Sequence, residues 1–141
     1  MTALTHAVRI LRVQAPENPA ERLTLHAIRR MAAHGIRDAH AASTMVAAFG
    51  LGFQRPLVLL RAFMVEFAQS ATRPVRLAPG CCGRMTLDEA RLLAGLRYAG
   101  ADEPRALRRL SRFCACGQTG GTLNAAAAYG AALADLGCPL G

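Results

Sequence analysis

Arg55-Pro56-Leu57-Val58-Leu59-Leu60-Arg61-Ala62-Phe63-Met64-Val65-Glu66-Phe67-Ala68-Gln69-Ser70-Ala71 is the stretch that decides the fold. Leu57, Leu60, Met64 and Phe67 recur at helical spacing and make one apolar stripe. Val58, Leu59, Phe63 and Val65 fill much of the remaining circumference, and a helix apolar nearly all round is buried. Pro56 stands in the first turn, where its missing N–H leaves no bond unmade. The stretch is therefore expected as the central helix of the domain, near 55–71.

Toward the N-terminus, Asn18-Pro19-Ala20-Glu21 is a helix start. Asn18 can cap, Pro19 takes the first position, and Glu21 can reach back to the cap nitrogen. Leu25, Ile28, Met31 and Ala32 follow at helical spacing, and Gly35 after His34 is a left-handed C-cap. A second helix is expected over 36–49 with Ala42, Met45, Val46 and Phe49 as its stripe, ended by Gly50 and Gly52. Ahead of these, Ala7 to Val13 carries the one weak strand alternation in the chain.

Toward the C-terminus, residues 72–85 hold Pro74, Pro79, Gly80 and Gly83 and read as a long loop, functional or mobile, with a short extended piece at Val75 to Leu77. Thr86-Leu87-Asp88-Glu89 is a capping box ahead of Leu92, Leu93 and Leu96, and Gly100 closes that helix. Asp102-Glu103-Pro104 opens a helix over 103–116 whose inward side is Leu107, Leu110 and Phe113. Thr122 caps an Ala-dominated last helix that stops at Gly137. The expected fold is all-α: a compact bundle of five or six antiparallel helices, one domain over 1–141, with a seam at the 72–85 loop as its one dividing place.

All 17 basic residues among the 141 are Arg, against 9 acids, for a net charge of +8, and 29 residues are Ala. With no Lys there is no P-loop lysine, Schiff base or pyridoxal-phosphate anchor. The charge is spread evenly: residues 1–70 hold 8 Arg and 4 acids, and residues 71–141 hold 9 Arg and 5 acids, so each part nets +4. Nucleic-acid binders more often segregate their charge. No export signal and no membrane span is read, because Arg9, Arg12, Arg61 and Glu66 interrupt the apolar runs. Five cysteines without a signal imply reduced thiols in the cytoplasm.

Three constellations could carry chemistry. Cys81, Cys82, Cys114 and Cys116 could hold zinc or an iron–sulfur cluster, or act as redox thiols, although adjacent and one-apart cysteines do not have standard ligand spacing. Gly80-Cys81-Cys82-Gly83-Arg84 precedes a helix start with Arg76 and Arg84 nearby, a setting that favours thiolate or binds an anion. Arg105, Arg108, Arg109 and Arg112 form a stripe at i, i+3, i+4 and i+7, and residues 86–113 superficially resemble a helix-turn-helix. That stripe lacks the Asn, Gln, Ser and Thr usual among base-contacting positions. His26 and His34 share a helix face with Arg30 and match no metal motif. Asp88-Glu89 and Asp102-Glu103 are accounted for as helix starts. Ala126, Gly130 and Ala134 make a small-residue ridge suited to close helix packing or a homodimer seam.

The stretches Ala27 to Gly35, Arg55 to Ala62 and Cys81 to Thr86 resemble a family of small, uncharacterised proteins of unknown function from sphingomonad-type alphaproteobacteria. The resemblance spans most of the chain and implies a standalone bacterial domain, with no activity, ligand or catalytic residue attached. The residues point to a non-enzymatic helical binding or regulatory domain whose partner is a protein or a second copy, with no predicted cofactor. A thiol-dependent redox or metal protein and a DNA-binding regulator using the 103–116 helix are the alternatives.

Overall fold

The computed structural model describes residues 13–80, 82–114 and 119–141. Its helices are α1 (Pro19–His34), α2 (Ala39–Phe49), α3 (Gln54–Ser70), α4 (Leu87–Tyr98), α5 (Glu103–Leu110) and α6 (Gly120–Asp135), with a 3-10 turn at Gly50–Phe53. Strand β1 (Val13–Gln14) pairs antiparallel with β2 (Arg84–Met85), Val13 opposite Met85. The fold is mainly helical, with this ribbon as its one sheet among the described residues. Of the alternating stretch Ala7 to Val13, only Val13 lies within the described residues.

The helix ends follow from local chemistry. Asn18 Oδ1 accepts from Glu21 N at 3.1 Å, and Pro19 opens α1 as expected. The Glu21 carboxylate does not turn back to the cap; it pairs with Arg97 of α4, which brings a charge partner that a bare N-cap lacks. Gly35 (φ 99°) ends α1 with its N–H on Met31 O at 2.8 Å. Asp38 caps α2 through Ala41 N at 2.9 Å, so α2 starts three residues later than expected. Both halves of the Thr86–Glu89 box are present. Thr122 does not cap α6: it lies inside the helix, buried, with its hydroxyl 2.9 Å from Ser70 Oγ.

The core gathers Leu60, Phe63 and Phe67 of α3, Leu92, Leu93 and Leu96 of α4, and Leu123, Tyr129 and Leu133 of α6. Each such side chain contributes about 1.5–3 kcal/mol on burial. Tyr129 is wholly buried, and its hydroxyl sits 2.6 Å from Thr24 Oγ1 of α1. Burial pushes its phenol above the ordinary value. The expected all-round burial of 55–71 does not hold. Leu57, Leu60, Phe63 and Phe67 are inward, but Val58 is 58% and Val65 37% exposed, because α3 leans mainly on α6, with α2 and the 3-10 turn at its N-terminal end. The helix with the widest set of partners is α4, which touches α1, α5, α6 and β2.

The run Ala39–Ser70 is long and apolar enough, by length and composition, to cross a membrane. It is two helices, parted by Gly50 (φ 56°) and the 3-10 turn.

Candidate functional site

The site is built on α5. Asp102 Oδ1 accepts from Arg105 N at 3.3 Å, and Pro104 takes the first turn. Ala106 and Leu110 are fully buried, which leaves Arg105, Arg108 and Arg109 exposed. Leu110 packs onto Gly95 of α4, where an added Cβ would lie 2.7 Å from Leu110 Cδ2. The bare glycine is what lets α5 come so close to α4. Leu107, expected inward, is 40% exposed because Ala106 occupies the inward position.

The helix expected over 103–116 stops at Leu110. Phe113 N and Cys114 N both return to Leu110 O, at 3.0 and 3.3 Å, and the chain turns. Thr72 N then takes Phe113 O at 2.7 Å, and Ala71 and Cys114 form an isolated antiparallel bridge. This backbone pairing competes with further helix and delivers Phe113 to the core, edge-to-face with Phe67. Arg112 therefore stands on the turn and continues the α5 stripe from there.

Arg105, Arg108, Arg109 and Arg112 line one groove of about 680 Å³ together with Arg91 of α4. Its apolar lining is Val13, Leu87, Ala90 and Ala94. Arg91 is 3.3 Å from Asp88, and the Arg105 guanidinium lies over the Tyr98 ring at 4.5 Å. Arg108, Arg109 and Arg112 pair with no carboxylate among the described residues. The groove thus combines an apolar floor with guanidinium groups whose charge is uncompensated.

Arg76 and Arg84 do not line it. Both are exposed, and both serve the scaffold through their backbones. Arg76 N donates to Asp88 Oδ2 at 3.0 Å, and Arg76 O accepts from Thr86 Oγ1 at 2.6 Å. Arg84 O accepts from Arg29 Nη2 at 2.9 Å. The 72–85 loop is pinned by these bonds. Asp88 also accepts from Arg73, at 3.2 Å to Nη2. Burial pushes the Asp88 carboxyl up, but the hydrogen bonds of Arg73 and Arg76 N and the charges of Arg73 and Arg91 outweigh it and hold the group below its ordinary value.

Beneath the loop lies a buried ion pair. Arg29 Nε and Nη2 meet Glu89 at 2.6 and 3.0 Å, and Arg29 Nη1 donates to Cys82 O at 2.8 Å. Glu89 also accepts from Thr86 N and Ala78 N, so its oxygens are fully used. Asp88 and Glu89 are thus the anchors of the loop as well as the start of α4.

Of the four candidate metal or redox cysteines, Cys81 and Cys116 lie outside the described residues. Cys82 is half-buried, and Cys114 is buried with its thiol 3.6 Å from Ser70 Oγ. Among the described residues no group of three or more His, Cys, Asp or Glu is placed to hold a metal ion. His26 packs edge-to-face on His40 of α2 at 5.4 Å, not toward His34. Burial, then the charges of His40 and two arginines, lowers its pKa. In the small-residue ridge Ala126 is wholly buried, Gly130 faces Leu96 O of α4, and Ala134 is exposed.

A protein-family model matches residues 2–135. The chain belongs to DUF6628, a family of unknown function. No curated protein and no solved structure matches the chain. For this DUF6628 member the groove must therefore be read from its own residues. Sequence reading named four of its five arginines. It missed Arg91, which stands at i+4 from Leu87 on the outer side of α4 and was findable by placing the two helices side by side. It also missed Arg29 and Arg73, whose partners are distant in sequence.

Proposed function

We propose that the domain is a non-enzymatic binding module that takes an acidic, amphipathic protein segment in the α4–α5 groove. One observation carries the reading: five guanidinium groups rim a floor of Val13, Leu87, Ala90 and Ala94. Carboxylates suit guanidinium groups as paired acceptors, and apolar side chains of the partner suit the floor. Exposed ion pairs contribute about 0.2–1 kcal/mol each. Three unpaired arginines thus supply at most about 3 kcal/mol, while a micromolar complex needs about 8 kcal/mol. Apolar contact on the floor adds to this, which is why the partner is amphipathic and not merely acidic.

The same floor weighs against nucleic acid. A phosphate backbone brings nothing apolar to cover it, and α5 is only eight residues long. In this reading the domain works in the reducing cytoplasm of a sphingomonad-type bacterium, and Arg76 and Arg84 add to the positive field without touching the partner.

Fluorescence anisotropy with a labelled amphipathic Glu/Leu peptide, beside a labelled DNA duplex, tests the proposal. The peptide should bind, weaken as salt rises from about 50 to about 200 mM, and be lost in the R108E/R109E/R112E variant. L87Q should weaken the peptide severalfold. Tighter binding of the duplex than of the peptide, indifferent to L87Q, overturns the reading.

A further inference from the structure

The corner where α2 turns into α3 exposes apolar surface that the arginine groove does not use. Gly50 (φ 56°) breaks α2, and Leu51 projects from the 3-10 turn, wholly exposed between Gly50 and Gly52. Val46 stands exposed in the last turn of α2, and Val58 in the second turn of α3. Leu136, also exposed, lies against Gly52, where an added Cβ would come within 2.9 Å of its Cδ2. Four of the seven large apolar side chains exposed among the described residues thus gather at one corner. From Ala39 to Val65 there is no Asp or Glu, and the charged residues are Arg55 and Arg61. The run Ala39–Ser70 has the apolar composition of a membrane helix, yet only 22% of its most apolar stretch is buried inside the protein. A core helix of that composition is covered by its neighbours. Divided at Gly50 into helices of 11 and 17 residues, the run makes no continuous span and suits the interface of a bilayer.

The charges near the corner fit that surface. Arg55 pairs with Asp135 at 2.7 Å and leaves no net charge. Arg61 stands two turns along α3, about 10 Å from its start. Its Nε donates to Ile36 O at 2.9 Å, a neutral acceptor, and Arg37 follows in the same loop. Neither Arg37 nor Arg61 pairs with a carboxylate among the described residues, while Asp38 is matched by Arg30. Glu66 lies a further turn on, against Gly121 of α6. Uncompensated positive charge therefore stands back from the apolar tip by the roughly 5–10 Å to which interfacial apolar faces enter a bilayer. We propose that this corner docks the protein on an anionic lipid bilayer, with Val46, Leu51 and Val58 entering the acyl chains and Arg37 and Arg61 meeting the phosphates. A free projection such as Leu51 needs surroundings that close round it, which a bilayer provides without a preformed pocket. A second copy in a two-fold contact would set projection against projection. The inference goes beyond the groove reading and uses none of its residues.

Sedimentation with vesicles of equal parts phosphatidylglycerol and phosphatidylcholine tests it, together with single-tryptophan reporters, since the chain has no Trp. The wild-type chain should sediment with the vesicles. L51Q, which keeps the net charge, should bind at least about tenfold more weakly. Because Leu51 is wholly exposed, L51Q and L51W should leave the urea midpoint unchanged. The emission of L51W should shift to the blue on adding vesicles and be quenched by brominated acyl chains, whereas L107W, on α5, should show neither change. Absence of sedimentation overturns the proposal. So does equal binding by L51Q, which means adhesion by charge alone. Quenching of L107W with none of L51W overturns it as well, because it puts the arginine groove on the lipid. A dimer by light scattering without vesicles, with L51W emission already blue, assigns the corner to a second copy and overturns it too.

Discussion

Arg29 and Glu89 carry opposite charges at 5% and 1% exposure, and each has its hydrogen-bonding capacity used by the other and by the loop backbone. Removing one partner leaves the other charge buried and uncompensated. R29M is expected to lower stability by about 3–5 kcal/mol in urea denaturation, with hydrogen exchange fastest in residues 72–85. Asp88 gives a pH signature. Its folded pKa lies below the ordinary 3.8, so its contribution is complete above that value and lost as pH falls through the folded one. The urea midpoint should therefore fall as pH drops below about 4, and D88N should reduce that fall. Tyr129 makes a third test. Thr24 Oγ1 donates its one proton to Ala20 O at 2.7 Å, so Tyr129 is the donor to Thr24. Y129F should cost about 1 kcal/mol with the fold intact. At this scale the sequence was readable where partners are near in the chain, as in the Thr86–Glu89 box. It was opaque for Arg29 and Glu89, which lie 60 residues apart, because nothing local marks a charge as buried.

Among the elements, the starts of α1, α4 and α5 and the stop at Gly137 were legible from caps and glycines, since these depend on a few adjacent residues. Two errors share another cause. The helix of 103–116 was drawn too long, and α3 was drawn as buried all round, because periodicity counts apolar residues without knowing which neighbours cover them. Phe113 ends α5 by pairing its carbonyl with Thr72, a contact across the loop. Gly95 sits mid-helix with nothing in its local sequence to single it out, yet it sets the distance between α4 and α5. G95A should displace Leu110 and destabilise the domain by about 1–3 kcal/mol. It should also weaken the Glu/Leu peptide, because the arginines of α5 shift with the helix. Unchanged peptide affinity in a destabilised G95A would separate the groove from the α4–α5 contact and count against the site as drawn.

For the whole molecule, the surplus of Arg proved less informative than its placement. Each half of the chain nets +4, and several arginines hold structure: Arg29, Arg30, Arg73 and Arg97 each meet a buried or half-buried carboxylate. In the groove, Arg108, Arg109 and Arg112 pair with no carboxylate among the described residues and stand beside an apolar floor. That concentration was half visible in the stripe at 105–112, but the floor comes from α4 and β1 and emerges only when the helices are packed. The most direct measurement is a two-dimensional amide NMR map of the full chain titrated with the Glu/Leu peptide. The account predicts shifts confined to Val13, Leu87 to Ala94 and Arg105 to Arg112, shrinking together as salt is raised. Shifts centred elsewhere on the molecule, or none at millimolar peptide, would contradict it.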